Sequence, residues 1–165
     1  MKQTQENARQ SETHICVDTP IGRLIVSEKS GAVCAIRLAR AEENIACTAS
    51  ESPVLVQAAR ELREYFDGER TVFTFPMRAE GTAFQKLVWQ ALLEIPFGEV
   101  RTYGQIAERV NNPKGSRAVG YACNRNPIMI TVPCHRVVGA KGKLVGYAYG
   151  TELKQKLLDF ELRKE

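Results

Sequence analysis

Apolar and polar residues alternate through His14–Asp18, Leu24–Ser27 and Val33–Leu38, with the turn signals Pro20-Ile21-Gly22 and Ser30-Gly31 between them. A period of two predicts three short strands joined by tight turns, a small antiparallel sheet. The polar start of the chain is expected to fray, and residues 40–52 read as a loop. At Ser52-Pro53 the period changes: an N-cap with proline at the first helical position opens a helix. Val56, Ala59, Leu62, Tyr65 and Phe66 form its stripe, and Gly68 closes it. Thr71–Phe75 reads as a further strand.

Pro76–Gly81 marks a boundary, which divides the chain into lobes 1–81 and 82–165. Thr82 with Gln85 forms a capping box for a helix with the stripe Phe84, Leu87, Val88, Ala91 and Leu92, stopped at Ile95-Pro96. Thr102 caps a short helix bearing Tyr103, Ile106, Ala107 and Val110 on one face. After the turn 111–115, Ser116 caps a second short helix through about Asn124. Two short helices across a tight turn make a helix-turn-helix candidate, although such pairs also occur as plain packing units. Ile128–Val132 reads as a buried strand, and a last helix runs from Thr151 through Leu153, Leu157, Leu158 and Leu162. The fold class expected is an α/β N-terminal lobe, a small antiparallel sheet plus helix, with a mainly α C-terminal lobe containing a helix-turn-helix.

Composition changes this picture little: 44% hydrophobic and 25% charged residues describe an ordinary globular chain of 165 residues. Charge distribution changes it more. Residues 1–81 carry 10 Lys and Arg against 12 Asp and Glu, a net of −2; residues 82–165 carry 13 against 7, a net of +6. A positive second half fits a phosphate-binding surface, and equally a solvated one. Five cysteines without regular spacing argue against a secreted disulfide framework and for a reducing compartment, by default the cytoplasm. No membrane-length apolar run occurs, so no membrane partner is expected.

The chemistry concentrates at Pro133-Cys134-His135-Arg136-Val137, just after the apolar run 128–132. A thiolate is the nucleophilic form of cysteine, and an adjacent imidazole helps make it available. A buried, inert cysteine is the plainer alternative. Glu161 follows Leu157 by four residues, which sets a carboxylate on the buried edge of the last helix, where it needs a partner; His135 is a natural one. On the second short helix Ala118, Val119 and Ala122 share one face and Arg117, Tyr121 and Asn124 the other. Tyr103 alone reads as core and Asn126, before Pro127, as a turn residue. His14 and Cys16 share a strand face but are too few for a metal site, and no metal is expected. Gly139–Leu144 lacks the pattern of a phosphate loop, and Cys123 is expected to pack behind its helix.

Taken together, Arg117-Ala118-Val119-Gly120, Asn126-Pro127, the Pro133–Val137 block and Gly146-Tyr147 closely resemble the active-site signature of the O6-alkylguanine-DNA alkyltransferases, also called methylated-DNA–protein-cysteine methyltransferases. The match is dense over residues 82–161. In the first lobe it is loose, through Thr19-Pro20-Ile21-Gly22 and Tyr65-Phe66-Asp67-Gly68. The resemblance implies single-turnover repair of O6-alkylguanine, and by extension O4-alkylthymine, in double-stranded DNA, with the alkyl group passing irreversibly to Cys134. It implies that His135 is linked to the cysteine through a water and to Glu161, and that Tyr103 donates to the departing guanine. Arg117 then fills the space of the flipped nucleotide, with Ser116, Ala118, Tyr121 and Asn124 facing the minor groove. Asn126 braces the loop, Tyr147 covers the extruded base, and backbone groups near Val137 and Ala148 read its edge. No cofactor is implied, and the protein is expected to be a monomer. Departures from the family pattern at Tyr121, Asn124 and Tyr149-Gly150-Thr151 bear on substrate breadth and groove fit. Two other classes remain at this point: a non-catalytic binder of alkylated DNA, whose type lacks the cysteine, and a helix-turn-helix regulator with a thiol sensor.

Overall fold

The computed structural model describes residues 12–47 and 50–163, so the expected fraying of the chain's start falls outside the described residues. Strands β1 (Thr13–Thr19), β2 (Gly22–Lys29) and β3 (Ala32–Leu38) form an antiparallel sheet in that order. Its second turn is the two-residue Ser30-Gly31, both at positive φ (54° and 78°), the geometry whose twist matches the flanking strands.

Helix α1 (Pro53–Phe66) packs on the sheet, with the Ser52 side chain accepting from the Leu55 amide and Pro53 in the first turn as expected. The buried stripe is Leu55, Ala58, Ala59, Leu62 and Tyr65. Val56, expected inside, is exposed. Thr71–Phe75 is not a strand. The buried Glu61 carboxylate takes the Thr74 amide (2.7 Å), and the outer edge of β3 is met instead by single bridges, Val33 to Met77 and Ile36 to Ile128.

Helix α2 (Ala83–Leu93) carries the Thr82–Gln85 capping box read from the sequence. Its inner face is Val88, Trp89, Ala91 and Leu92, with Leu87 turned to solvent; Trp89 also donates to the Ala122 carbonyl (2.9 Å). Strand β4 (Arg101–Thr102) leads into α3 (Tyr103–Arg109), and residues 110–115 turn the chain into α4 (Ser116–Asn124), which packs on both α3 and α2. Ser116 is the first helical residue, not the cap. Gly115 holds the cap position, where a Cβ would collide with the Asn112 side chain.

Residues 128–132 are buried as expected but are no strand. After its bridge to Ile36 the chain turns sharply through Ile130, at φ 70°, a conformation that a β-branched residue adopts only under tertiary constraint. A single 3₁₀ turn, Cys134–Arg136, then enters β5 (Val137–Val138), parallel to β4, and α5 (Thr151–Leu162) closes the structure. The core is continuous through both halves, from Leu24, Val26 and Leu62 to Leu92, Val119, Ile128 and Leu157. Among the described residues, no helix is long and apolar enough to cross a membrane.

Candidate active site

The turn at Ile130 swings Cys134 back onto Asn126. The Asn126 amide nitrogen donates to the Val132 carbonyl (2.8 Å) and to Cys134 Sγ (3.3 Å), while its oxygen accepts from the Ile128 amide (2.9 Å). One side chain therefore ties both ends of the loop to the thiol. Cys134 is only 4% exposed. Burial raises its pKa, opposed by the Asn126 hydrogen bond and the nearby Lys154 charge, so the resting form is the neutral thiol.

His135 is fully buried, and its Nε2 lies 2.7 Å from Glu161 Oε1. Burial lowers the imidazole pKa, against the pull of Glu161, whose charge is already shared with Arg136. A carboxylate accepts only, so the neutral ring carries its hydrogen on Nε2. That leaves Nδ1 as a lone pair, buried and without a partner among the described residues. Glu161 accepts further from Tyr65 Oη (2.7 Å) and from Arg136 Nε and Nη2 (2.7 and 2.9 Å), and Arg136 Nη1 donates to the Ile95 carbonyl (2.7 Å). Burial alone would raise the Glu161 pKa; the donors His135 and Arg136 outweigh it and hold it at about 2.

Tyr103 is half-buried at the start of α3, and burial first of all pushes its pKa up to about 12. Its hydroxyl donates to the Val145 carbonyl (2.9 Å) and accepts from Lys154 Nζ (3.3 Å); Lys154 also donates to the Gly146 carbonyl (3.1 Å). Lys154 is fully buried, and its pKa is lowered chiefly by that burial. Tyr147 points its hydroxyl inward, whereas Ala148 is exposed and Val137 is buried in β5. A cleft of about 340 Å³ opens between α4 and this segment, lined by Tyr103, Ser116, Arg117, Gly120, Asn124, Val145 and Gly146. Arg117, Tyr121 and Asn124 face outward as expected, and Tyr121 is 62% exposed. Ala118, expected with the packed face, faces outward beside them, while Val119, Ala122 and Cys123 are buried.

Sequence reasoning missed Tyr65, Arg136 and Lys154. Lys154 was the findable one: with Leu157, Leu158 and Glu161 it falls on one helical stripe. Tyr65 and Arg136 gave no signal beyond a polar tip on a packed position. Cys16 is disulfide-bonded to Cys47 (Cα–Cα 5.4 Å), which departs from the expectation of a reducing compartment; a separation of 31 residues carried no hint of it. Cys34, Cys123 and Cys134 are free.

Fold and site together define a protein that presents a buried, histidine-flanked thiol behind an exposed helix, with a carboxylate fixing the imidazole. The chain belongs to the 6-O-methylguanine DNA methyltransferase family: the family's ribonuclease-like domain matches residues 13–79 and its DNA-binding domain residues 83–163. A methylated-DNA–protein-cysteine methyltransferase of Methanosarcina acetivorans is 60% identical over 105 residues, 64% of this chain and 67% of that one. The constitutive enzyme of that name in Bacillus subtilis is 44% identical over 151 residues, covering 87% and 92%. The crystal structure of Mycobacterium tuberculosis OGT in complex with DNA superposes with a TM-score of 0.80 at 42% identity, covering 90% of this chain and 92% of that one.

Proposed function

We infer that the protein is a direct-reversal DNA repair methyltransferase that takes the alkyl group of O6-alkylguanine onto its own Cys134. The observation that carries this is the hydrogen bond between Glu161 and His135, which leaves Nδ1 free on the ring next in the chain to a thiol held by Asn126. The thiol proton passes to Nδ1 through a bridging water, and Glu161 stabilises the imidazolium that results. The Cys134 sulfur then bonds the alkyl carbon as the carbon–O6 bond breaks. The electron pair leaves with the guanine, which Tyr103 meets with a hydrogen bond or proton once its hydroxyl exchanges the Val145 carbonyl for the base. The thioether has no route back to a thiolate, so each molecule acts once.

Arg117, on the helix-turn-helix formed by α3 and α4, enters the space of the extruded nucleotide, which offsets part of the unstacking cost. Ser116, Ala118, Tyr121 and Asn124 line the groove-facing surface around it; Tyr147, Ala148 and Val137 enclose the base. Residues 1–81 and 82–165 act as two lobes, a division supported by family models that meet between residues 79 and 83. The protein works as a cytoplasmic monomer on double-stranded DNA.

The test is Cys134→Ala with duplex containing one O6-methylguanine. The wild type gains one methyl in mass, and the variant gains none yet keeps its binding to the lesion. Methylation of the variant would overturn the assignment.

A further inference from the structure

Three donors converge on one oxygen of the site. Glu161 Oε1 accepts from His135 Nε2 (2.7 Å), from Arg136 Nη2 (2.9 Å) and from Tyr65 Oη (2.7 Å), while Oε2 accepts from Arg136 Nε (2.7 Å). His135 and Arg136 follow the thiol directly in sequence. Tyr65 lies on α1, in the other half of the chain. It is fully buried, its ring held by Phe66 and Phe73 from its own half and by Phe97 and Phe160 from the other, with centroids 5.0 to 6.0 Å away. Burial first, and then the Glu161 charge, push the Tyr65 pKa far up, so the hydroxyl stays protonated and donates.

Each donor stabilises the negative charge of a carboxylate and lowers its pull on a further proton. The phenol therefore weakens the hold of Oε1 on the imidazole N–H. Arg136 grips both oxygens and keeps the carboxylate in place with or without the phenol, so what the phenol alters is the charge that His135 meets. That charge has a consequence for the reaction. The thiol proton has to reach Nδ1, and a ring already protonated under a stronger pull cannot take it.

We propose that Tyr65 is a positioning residue for alkyl transfer, acting through Glu161: its phenol shares Oε1 with His135, tempers the carboxylate's pull, and so keeps Nδ1 open as the proton acceptor. This rests on the alkyl-transfer reading above. The proton acceptor in one half of the chain then depends on a hydroxyl supplied by the other. Among the described residues, the other titratable and charged groups around the cluster are Cys134 and Arg136 in the 3₁₀ turn, Lys154 on α5 and Tyr147 in the segment before it. Tyr65→Phe leaves all of them in place.

The chain has two histidines, His14 on β1 and His135, so their ring signals can be followed separately by NMR in the intact protein. The experiment titrates them in the wild type, Tyr65→Phe and Phe73→Leu, alongside the rate constant for Cys134 alkylation by duplex O6-methylguanine. Loss of the phenol should raise the pH at which His135 takes its proton by about half a pH unit or more, part of what a hydrogen bond to a charged group is worth. The acid limb of the rate should rise with it, and the His135 Nε2–H resonance should move downfield. His14 is the internal reference. Phe73→Leu loosens the ring's surroundings but keeps the hydroxyl, and should behave as the wild type. Fluorotyrosine at position 65, a stronger donor of nearly the same shape, should move the Nε2–H resonance upfield.

An unchanged titration and resonance in Tyr65→Phe overturn the proposal, as does an equal shift in Phe73→Leu. Thermal melting shows that each variant folds; if Tyr65→Phe does not, the fluorotyrosine protein decides alone, and an unchanged resonance there overturns the proposal. Absence of methyl transfer by the wild type would instead overturn the proposed function and leave the His135 measurements as they stand.

Discussion

Tyr65, His135 and Arg136 place four hydrogen bonds on the carboxylate of Glu161, three on Oε1 and one on Oε2, so both oxygens face donors. An amide cannot replace it, because its NH₂ would face a donor. Glu161→Gln should therefore lose about 3 kcal/mol in urea unfolding, the scale for breaking a buried pair. Tyr65→Phe removes one donor and should lose about 1 kcal/mol. The pH dependence has a definite sign. Glu161 falls from its ordinary 4.5 to about 2 in the folded state, so its contribution is present above pH 4.5 and is lost as pH falls toward 2. His135 acts in the same direction: its folded pKa is lowered from 6.5, so the unfolded chain binds a proton first and stability starts to fall below about pH 6.5. Urea midpoints between pH 7 and 3 should decline throughout, and a maximum near pH 4 would contradict the assignment. At this scale Glu161 was legible, because its helical spacing put a charge among leucines. Tyr65 was not, since the partner of its hydroxyl lies 96 residues away.

The elements that sequence read best are those whose signal is local. The capping box of α2 is one, and Thr82→Ala should lower stability by about 1 kcal/mol through loss of the Gln85 amide contact. Thr71–Phe75 and Ile128–Val132 were misread because an apolar run reports burial without reporting hydrogen-bond partners. Glu61 and Ile36 supply those partners, and both lie far away in sequence. Stripes slipped by a residue at Val56 and Leu87 for a related reason: an exposed aliphatic residue next to a buried one satisfies the same periodicity. The Cys16–Cys47 bond closes a loop across the edge of the sheet. Cys47→Ser should cost about 2–4 kcal/mol, the usual range for such cross-links, in urea unfolding without reductant. Under full reduction wild type and variant should coincide.

Across the whole molecule, charge and chemistry sit in the same half: the segment with a net of +6 bears both Arg117 and Cys134. Affinity for undamaged duplex should fall steeply with salt and vary little with sequence. Arg117→Ala should slow repair in duplex by about 10- to 100-fold, since unstacking costs a few kcal/mol, while labelling by a free base analogue stays near normal. Equal loss on both substrates would assign Arg117 to holding the fold. The central claim is stoichiometric transfer to one thiol, and its most direct test is titration with duplex bearing a single O6-methylguanine, read by intact-protein mass and peptide mapping. The account predicts a gain that saturates at one methyl per protein, located on Cys134. Continued demethylation beyond one equivalent, or a methyl group on another residue such as Cys123, would contradict it.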